Sequence, residues 1–172
     1  MTDPLAAVTT HAYDQDGNQV GTTDALGHST YWIHDIRGNI VGHRLPSGAL
    51  TGYVYNTESL LTSVTDAASA VTTYTYDAAG RETMRRYDDD TSVVTTYDLV
   101  GNRIGVTDGR GETVYSYDAL NRLVGRNDPE GSWVVYTYDE VGNLIARAIP
   151  GSETRFAYDA ANPGQRASPG RH

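Results

Sequence analysis

The stretch Tyr138-Asp-Glu-Val-Gly-Asn-Leu-Ile145 contains the elements that decide the fold: an aromatic residue, an Asp-x-x-Gly turn and a return to apolar residues. An Asp at the first position of a type I turn can bond its own backbone, and a Gly directly after the turn tolerates positive φ. The segment Tyr76-Asp-Ala-Ala-Gly-Arg81 has the same order. Both segments therefore predict a tight hairpin between two strands.

The aromatic-Asp pair recurs along the chain at steps of 20 or 21 residues. Such periodicity indicates an array in which each repeat is one supersecondary unit. We call the first residue of each pair phase 0 and count along the chain from it. The eight pairs are Tyr13-Asp14, His34-Asp35, Tyr55-Asn56, Tyr76-Asp77, Tyr97-Asp98, Tyr117-Asp118, Tyr138-Asp139 and Tyr158-Asp159.

Each repeat contains two turn signals. The first turn begins at phase +1 and places Gly at phase +4, and its best examples are Asp14 with Gly17, Asp35 with Gly38, Asp77 with Gly80, Asp98 with Gly101, and Asp139 with Gly142. The second turn begins at phase +11, as in Asp24-Ala-Leu-Gly27, Leu45-Pro-Ser-Gly48, Asp108-Gly-Arg-Gly111 and Asp128-Pro-Glu-Gly131. Both kinds are expected to be type I turns followed by a Gly bulge. We predict an all-β fold of about sixteen short antiparallel strands, in a twisted, curved sheet or open spiral of hairpins.

Most Tyr residues fall at two positions of the repeat. Eleven of the thirteen lie at phase 0 or phase −2, and residues two apart on a strand share one face of the sheet. We predict a Tyr ladder whose paired members are Tyr53, Tyr55, Tyr74, Tyr76, Tyr115, Tyr117, Tyr136 and Tyr138. The ladder has two interpretations: the rings replace an aliphatic core while the hydroxyls reach a partner or water, or they form an exposed stripe that stacks on sugar rings.

Composition excludes several classes of function. The net charge of −9 argues against nucleic-acid binding, which needs a basic surface. The absence of Cys and Lys removes disulfides, thiolate metal sites and Cys or Lys nucleophiles. No apolar run approaches the roughly 18 residues of a membrane helix, so no membrane insertion is expected. The first residues lack the basic and apolar layout of a signal peptide, so we expect none in this segment.

The repeat register extends towards both ends. Asp3-Pro4 lies at the second-turn phase of a preceding unit, and the pattern stops after Asp159. We therefore expect a hairpin array at residues 1–160, cut from a longer array, and a disordered Pro/Gly-rich tail at residues 161–172. Open sheet ends tend to recruit another strand, so we also expect self-association through the sheet edges.

Few residues suggest catalysis or metal binding. A glycoside hydrolase needs two carboxylates in unlike environments, but most of the sixteen Asp lie at turn phases. The run Asp88-Asp89-Asp90 could ligate Ca²⁺, although it lacks the spacing of a known calcium loop. The five His have no zinc spacing, and no Gly-x-Ser-x-Gly motif occurs. We expect no catalytic residue, no cofactor and no metal.

The Tyr-Asp-x-x-Gly-Arg/Asn unit resembles the YD repeat of the Rhs family, which is shared with the toxin-complex C component and the teneurins. This resemblance covers about residues 3 to 160. It implies long hairpin arrays that spiral into a hollow shell, which encloses a C-terminal toxin in bacterial members and serves extracellular adhesion in teneurins. The chain departs from the family in having few repeats and no Asp-Pro-x-Gly-Leu segment of the self-cleaving region.

The resemblance implies a non-enzymatic scaffold, a shell segment that encloses or displays a toxin or another partner. Its partners would be the rest of the shell and the enclosed toxin, and its location secreted or cell-surface. Two alternatives stay open at this point: a carbohydrate-binding or adhesive module that uses the Tyr stripe, and a glycoside hydrolase that uses the turn carboxylates.

Overall fold

The computed structural model describes residues 8–159 and 162–166. Strands account for all regular structure in this part of the chain, which contains no helix and so none that could cross a membrane. Every recorded strand pair is antiparallel, and the order of strands β1 to β15 in the sheet is the order of the chain. The prediction of tandem antiparallel hairpins is confirmed.

The chain divides into two compact units, Met1–Thr91 and Ser92–His172. The first unit contains β1 (Thr10–Tyr13), β2 (Gln19–Thr23), β3 (Ser29–His34), β4 (Ile40–Arg44), β5 (Leu50–Tyr55), β6 (Leu61–Thr65), β7 (Val71–Tyr76) and β8 (Glu82–Arg86). The second contains β9 (Ser92–Tyr97), β10 (Arg103–Asp108), β11 (Gly111–Tyr117), β12 (Leu123–Asn127), β13 (Trp133–Tyr138), β14 (Leu144–Ile149), β15 (Ser152–Arg155), β16 (Tyr158–Asp159) and β17 (Asn162–Arg166).

Most hairpin loops contain three residues. In the first turn after β7, the N–H of Asp77 donates to the carbonyl of Arg81, and the N–H of Gly80 donates to the carbonyl of Asp77, both at 3.0 Å. Gly80 has a φ of 76°, as expected for a type I turn closed by a left-handed residue. Where Gly is absent, the same position is held with positive φ by Ser59, Ser69, Asp90 and Asn121.

Two second turns are shorter than expected. Asp108 pairs directly with Gly111, and Ile149 with Ser152, so each of these loops contains only two residues. The expectation of a three-residue bulged turn at Asp108-Gly-Arg-Gly111 is therefore wrong. These hairpins lie in the two repeats whose step is 20 residues, and the missing residue accounts for the missing bulge position.

The sheet has little buried interior. Among the described residues, Val134 is the one buried hydrophobic side chain, with 9% exposure. On β7, Tyr74 and Tyr76 are half-buried, whereas Thr73 and Thr75 on the opposite face are exposed. Cross-strand pairs and the backbone ladder must therefore supply most of the cohesion, because there is no second layer to pack against in this part of the chain.

The last described strand falls in the region where a disordered tail was expected. Residues Asn162–Arg166 form β17, which pairs antiparallel with Tyr158–Asp159. Pairing satisfies backbone groups that water would otherwise solvate, and a Pro is tolerated in an edge strand. The rest of the tail, and the predicted turn at Asp3-Pro4, lie outside the described residues.

Candidate functional site

The first turns are built around the carboxylate of their Asp. In the turn after β1, Oδ1 of Asp14 accepts hydrogen bonds from the N–H groups of Asp16 at 3.0 Å and Asn18 at 2.8 Å. The second carboxylate oxygen, Oδ2, accepts from Nδ2 of Asn18 at 3.0 Å. One side chain thus holds three donors of its own turn, which is why Asp occupies the first position.

The residue at phase +5 completes this arrangement. Oδ2 of Asp77 accepts from Nε of Arg81 at 2.6 Å, and Oδ2 of Asp118 accepts from Nε of Arg122 at the same distance. The sequence shows Asn or Arg at this position without indicating why, and the structure identifies both as donors to the turn carboxylate. In one repeat Asn56 replaces this Asp, and its amide has only one oxygen. The residue at phase +5 is then Leu60, whose side chain has no donor.

The turn carboxyls are held in their ionised form. The amide side chain of Asn18 is the largest cause that lowers the pKa of Asp14, and the backbone N–H of Arg81 is the largest that lowers the pKa of Asp77. A general acid of a glycosidase needs a raised pKa, whereas the hydrogen bonds of these turns lower the pKa of Asp14 and Asp77. The Asp residues whose pKa lies below the ordinary 3.8 are Asp14, Asp24, Asp35, Asp77, Asp89, Asp98, Asp108, Asp118 and Asp139.

The predicted Tyr ladder lies on one face of each unit. All eight of its paired Tyr residues are half-buried in the described structure. Four of the phase 0 Tyr residues donate their hydroxyls to a backbone carbonyl of another strand. These hydrogen bonds run from Tyr76 to the carbonyl of Leu61 (2.6 Å), from Tyr117 to Arg103 (3.0 Å), from Tyr138 to Leu123 (2.9 Å) and from Tyr158 to Leu144 (2.9 Å).

The accepting carbonyl lies where the strand ladder ends. Backbone pairing between β12 and β13 stops at Gly125 and Val135, so the carbonyl of Leu123 lies beyond the paired residues. The hydroxyl of Tyr138 donates to this carbonyl at 2.9 Å and so links the two strands past the end of their backbone ladder. We call this contact the tyrosine clamp; it occurs between β6 and β7 in the first unit, and between β10 and β11, β12 and β13, and β14 and β16 in the second.

The phase −2 aromatic residues face a partner that the sequence did not reveal. Arg85 lies directly opposite Tyr74, and its guanidinium is 5.3 Å from the ring centroid. Trp32 and His43 stack at the same positions of their repeat, with centroids 5.7 Å apart. The partner is the residue at phase +9, which is also Arg at Arg126 and Arg147. The Arg85 and His43 contacts each cover one face of the facing ring, a face that a glycan-stacking stripe would need to expose.

The acidic run does not converge on one point. Oδ1 of Asp88 accepts from the N–H of Val71 at 3.2 Å, Asp89 bonds Thr91, and Asp90 pairs with Arg86 at 2.6 Å. A calcium site needs six to eight oxygens around one centre. The described residues contain no group of three or more His, Asp or Glu placed to hold a metal ion.

Together, these features define a tandem repeat protein of antiparallel β-hairpins. Asp-centred turns close its hairpins, and tyrosine clamps link its strands. A family model described as RHS Repeat matches residues 55–92 and 97–132. Residues 55–92 and 97–132 are therefore RHS repeats, and the resemblance to the YD repeat of the Rhs family is confirmed there. A comparison with curated protein sequences gives no match.

Solved structures share this fold. A Tc holotoxin pore from Photorhabdus luminescens matches with 20% identity and a TM-score of 0.73, over 87% of this chain. The TcdB2-TccC3-Cdc42 complex matches with 19% identity and a TM-score of 0.75, over 91% of this chain, as does TcdB2-TccC3 without the hypervariable C-terminal region. At these identities the likeness is one of fold. The chain spans 10% of the length of each matched chain.

Proposed function

We propose that this chain is a non-enzymatic segment of an RHS-repeat shell, whose role is to enclose or display a toxin or another partner. The observation that carries the proposal is the unbroken chain-order meander, in which the characteristic residues of the repeat form turns and strand contacts. A sheet of hairpins with almost no buried interior presents two surfaces, as a shell segment requires. The solved structures with this fold are Tc toxin complexes.

The environment of the carboxylates supports the non-enzymatic role. The Asp residues of the first turns are hydrogen bonded within their own turns, and their pKa values are lowered. Each turn Asp contacts its own turn, whereas a hydrolase requires two carboxylates in unlike environments that converge on one bond. We expect no turnover on a broad panel of glycosides.

The remaining partners and the location belong to the same proposal. The rest of a shell and an enclosed toxin would complete the assembly, and the location would be secreted or at the cell surface. The alternative of an adhesive module based on the Tyr stripe is less favoured, because guanidinium groups lie 4.7 to 5.3 Å from the ring centroids of Tyr74, Tyr115 and Tyr138.

The test uses the protein expressed with its full coding sequence, including whatever flanks this segment. In one variant, residues 55–96 are removed, which deletes two whole repeats and keeps the register of the remaining ones. Limited proteolysis should leave the region that follows the repeats protected in the parent and cleaved in the deletion variant. The substitution Tyr136→Phe, which deletes no strand, serves as the matched control and should retain protection.

The proposal fails if the region after the repeats is cleaved at the same rate in the parent and the deletion variant. It also fails if the chain hydrolyses a glycoside and the activity disappears with Asp98→Asn or Asp139→Asn.

A further inference from the structure

The chain contains the dipeptide Asp-Gly twice, at Asp16-Gly17 and at Asp108-Gly109, and both pairs lie in hairpin loops. In such a pair the backbone nitrogen of Gly can attack the carboxyl of the preceding Asp, because Gly has no side chain to hinder the approach. The two pairs share the same reacting groups. A difference in their reactivity must therefore come largely from how the fold holds each carboxyl.

The carboxyl of Asp16 is free. Asp16 lies at the tip of the first turn after β1, and both Asp16 and Gly17 are exposed. The backbone N–H of Asp16 donates to Oδ1 of Asp14 at 3.0 Å, so Asp14 and not Asp16 organises this turn. The described residues supply no hydrogen bond or ion pair to the carboxyl of Asp16.

The nitrogen of Gly17 is held more weakly than its counterparts. Its N–H donates to the carbonyl of Asp14 at 3.3 Å, whereas the same bond at Gly80 measures 3.0 Å. A β-carbon on Gly17 would have no atom within 4 Å, so the loop has room to rotate. Gly109 has the same open surroundings. Access to the nitrogen therefore does not distinguish the two pairs, and the carboxyl does.

The carboxyl of Asp108 is held by two groups of Arg110. Oδ1 accepts from the backbone N–H of Arg110 at 2.9 Å, and Oδ2 accepts from Nη2 of its guanidinium at 2.8 Å. The side chain of Asp108 is only 26% exposed. Loss of water from a carboxyl requires its protonated form, and the Arg110 side chain is the largest cause that lowers the pKa of Asp108. The second pair is therefore protected.

We propose that Asp16-Gly17 is a modification site, at which Asp16 converts to isoaspartate while Asp108 stays intact. The nitrogen of Gly17 forms a bond to Cγ of Asp16, the Cγ–OH bond breaks, and the hydroxyl leaves with the amide proton as water. Water then adds to the main-chain carbonyl carbon of the cyclic imide, and the bond from that carbon to the nitrogen breaks. The backbone afterwards runs through Cγ, with a free α-carboxyl and an unchanged mass.

The test incubates the full chain in water enriched in heavy oxygen, at about pH 6, above the acid range in which the turn carboxyls are expected to be protonated. Chromatography and mass spectrometry of the digested peptides measure isoaspartate and heavy-oxygen uptake at both pairs. Methyl transfer by a protein isoaspartyl methyltransferase measures the total independently. Asp16→Glu is the matched control, because Glu keeps the exposed charge but closes the larger imide ring far more slowly. A parallel incubation in urea removes the fold.

Isoaspartate should accumulate about tenfold faster at Asp16 than at Asp108, because the carboxyl of Asp108 must first lose a charge-assisted hydrogen bond. Asp16→Glu should abolish the signal at the first turn. Arg110→Ala, at a side chain that is 72% exposed, should raise the rate at Asp108. In urea the rates at the two pairs should become similar.

The proposal is overturned if Asp16 stays unmodified, or if both pairs react at the same rate in the folded chain. A difference that persists in urea would also overturn it, because the neighbouring sequence and not the fold would then set the rates. So would an unchanged rate at Asp108 in Arg110→Ala. These readouts report a covalent change in one loop, so they are independent of the shell proposal.

Discussion

The tyrosine clamp of the second unit leads to a quantitative prediction for Tyr138→Phe. The substitution deletes the hydroxyl that donates to the carbonyl of Leu123 at 2.9 Å. It keeps the aromatic ring, 4.7 Å below the guanidinium of Arg122, so the cation–π contact persists. The loss is therefore that of one hydrogen bond to a part-buried carbonyl, and we expect the free energy of unfolding to fall by about 1 kcal/mol.

A matched control lies two residues away on the same strand and face. Tyr136 is half-buried like Tyr138, but its hydroxyl is not part of the clamp series. Tyr136→Phe should change the free energy of unfolding by less than about 0.5 kcal/mol. Urea unfolding can be followed by the fluorescence of Trp133 on β13, in a Trp32→Phe background that removes the reporter of the first unit.

The clamps of the second unit should act independently, because they lie on different strand pairs. Replacing Tyr117, Tyr138 and Tyr158 together by Phe should lower the free energy of unfolding by about 3 kcal/mol. The reasoning is refuted if Tyr138→Phe costs no more than Tyr136→Phe, or if the triple variant loses less than about 1 kcal/mol. In either case the hydroxyls would not contribute to cohesion.

Three further predictions concern the turns, the charges and the edges. Gly80→Ala should destabilise the first unit by about 1 to 2 kcal/mol because the φ of Gly80 is 76°. Gly52→Ala, with no atom within 4 Å of the added carbon, should not destabilise it. The urea unfolding midpoints of the two variants test this difference. The Asp residues of the first turns have pKa values below the ordinary 3.8, so their contribution to stability is present above that value and is lost as pH falls through the folded pKa. Circular dichroism should therefore show acid unfolding below about pH 4, and a loss of structure that begins near pH 6 would contradict this assignment. The edge strands β1 and β15 are exposed along their length, so light scattering should detect self-association that rises with concentration, and a strict monomer at high concentration would exclude it.

The hairpin array could be predicted from the sequence because the repeat contains its own turn chemistry. Asp and Gly at phases +1 and +4 mark the loop, and the Tyr residues at phases 0 and −2 mark one face. Each signal is local, and each is repeated often enough to be read without knowing which strands pair. The structure confirms the strands, and on β7 it places Tyr74 and Tyr76 at half-buried positions.

The contacts between strands could not be predicted in the same way. Arg85 faces Tyr74 only because a bulge between Thr75 and Tyr76 shifts the pairing by one residue. The sequence does not show where that bulge lies, so it does not predict that the residue at phase +9 faces the aromatic residue at phase −2. The sequence also does not predict the groove between the second turns that begin at Asp24 and Leu45. Its lining residues are close in space but about twenty residues apart in the chain.

The two short hairpins of the second unit bear on how such an array tolerates changes in length. Losing one residue inside a strand would exchange its two faces and move its ladder Tyr residues to the opposite side of the sheet. At Asp108-Gly-Arg-Gly111 and Ile149-Pro-Gly-Ser152 the loop is one residue shorter than the usual three, and on β11 Tyr115 and Tyr117 keep their half-buried face. Single-residue insertions and deletions can therefore accumulate at loops without changing which side chains face each side of the sheet. Sequences of this kind can drift in repeat length while both surfaces keep their composition.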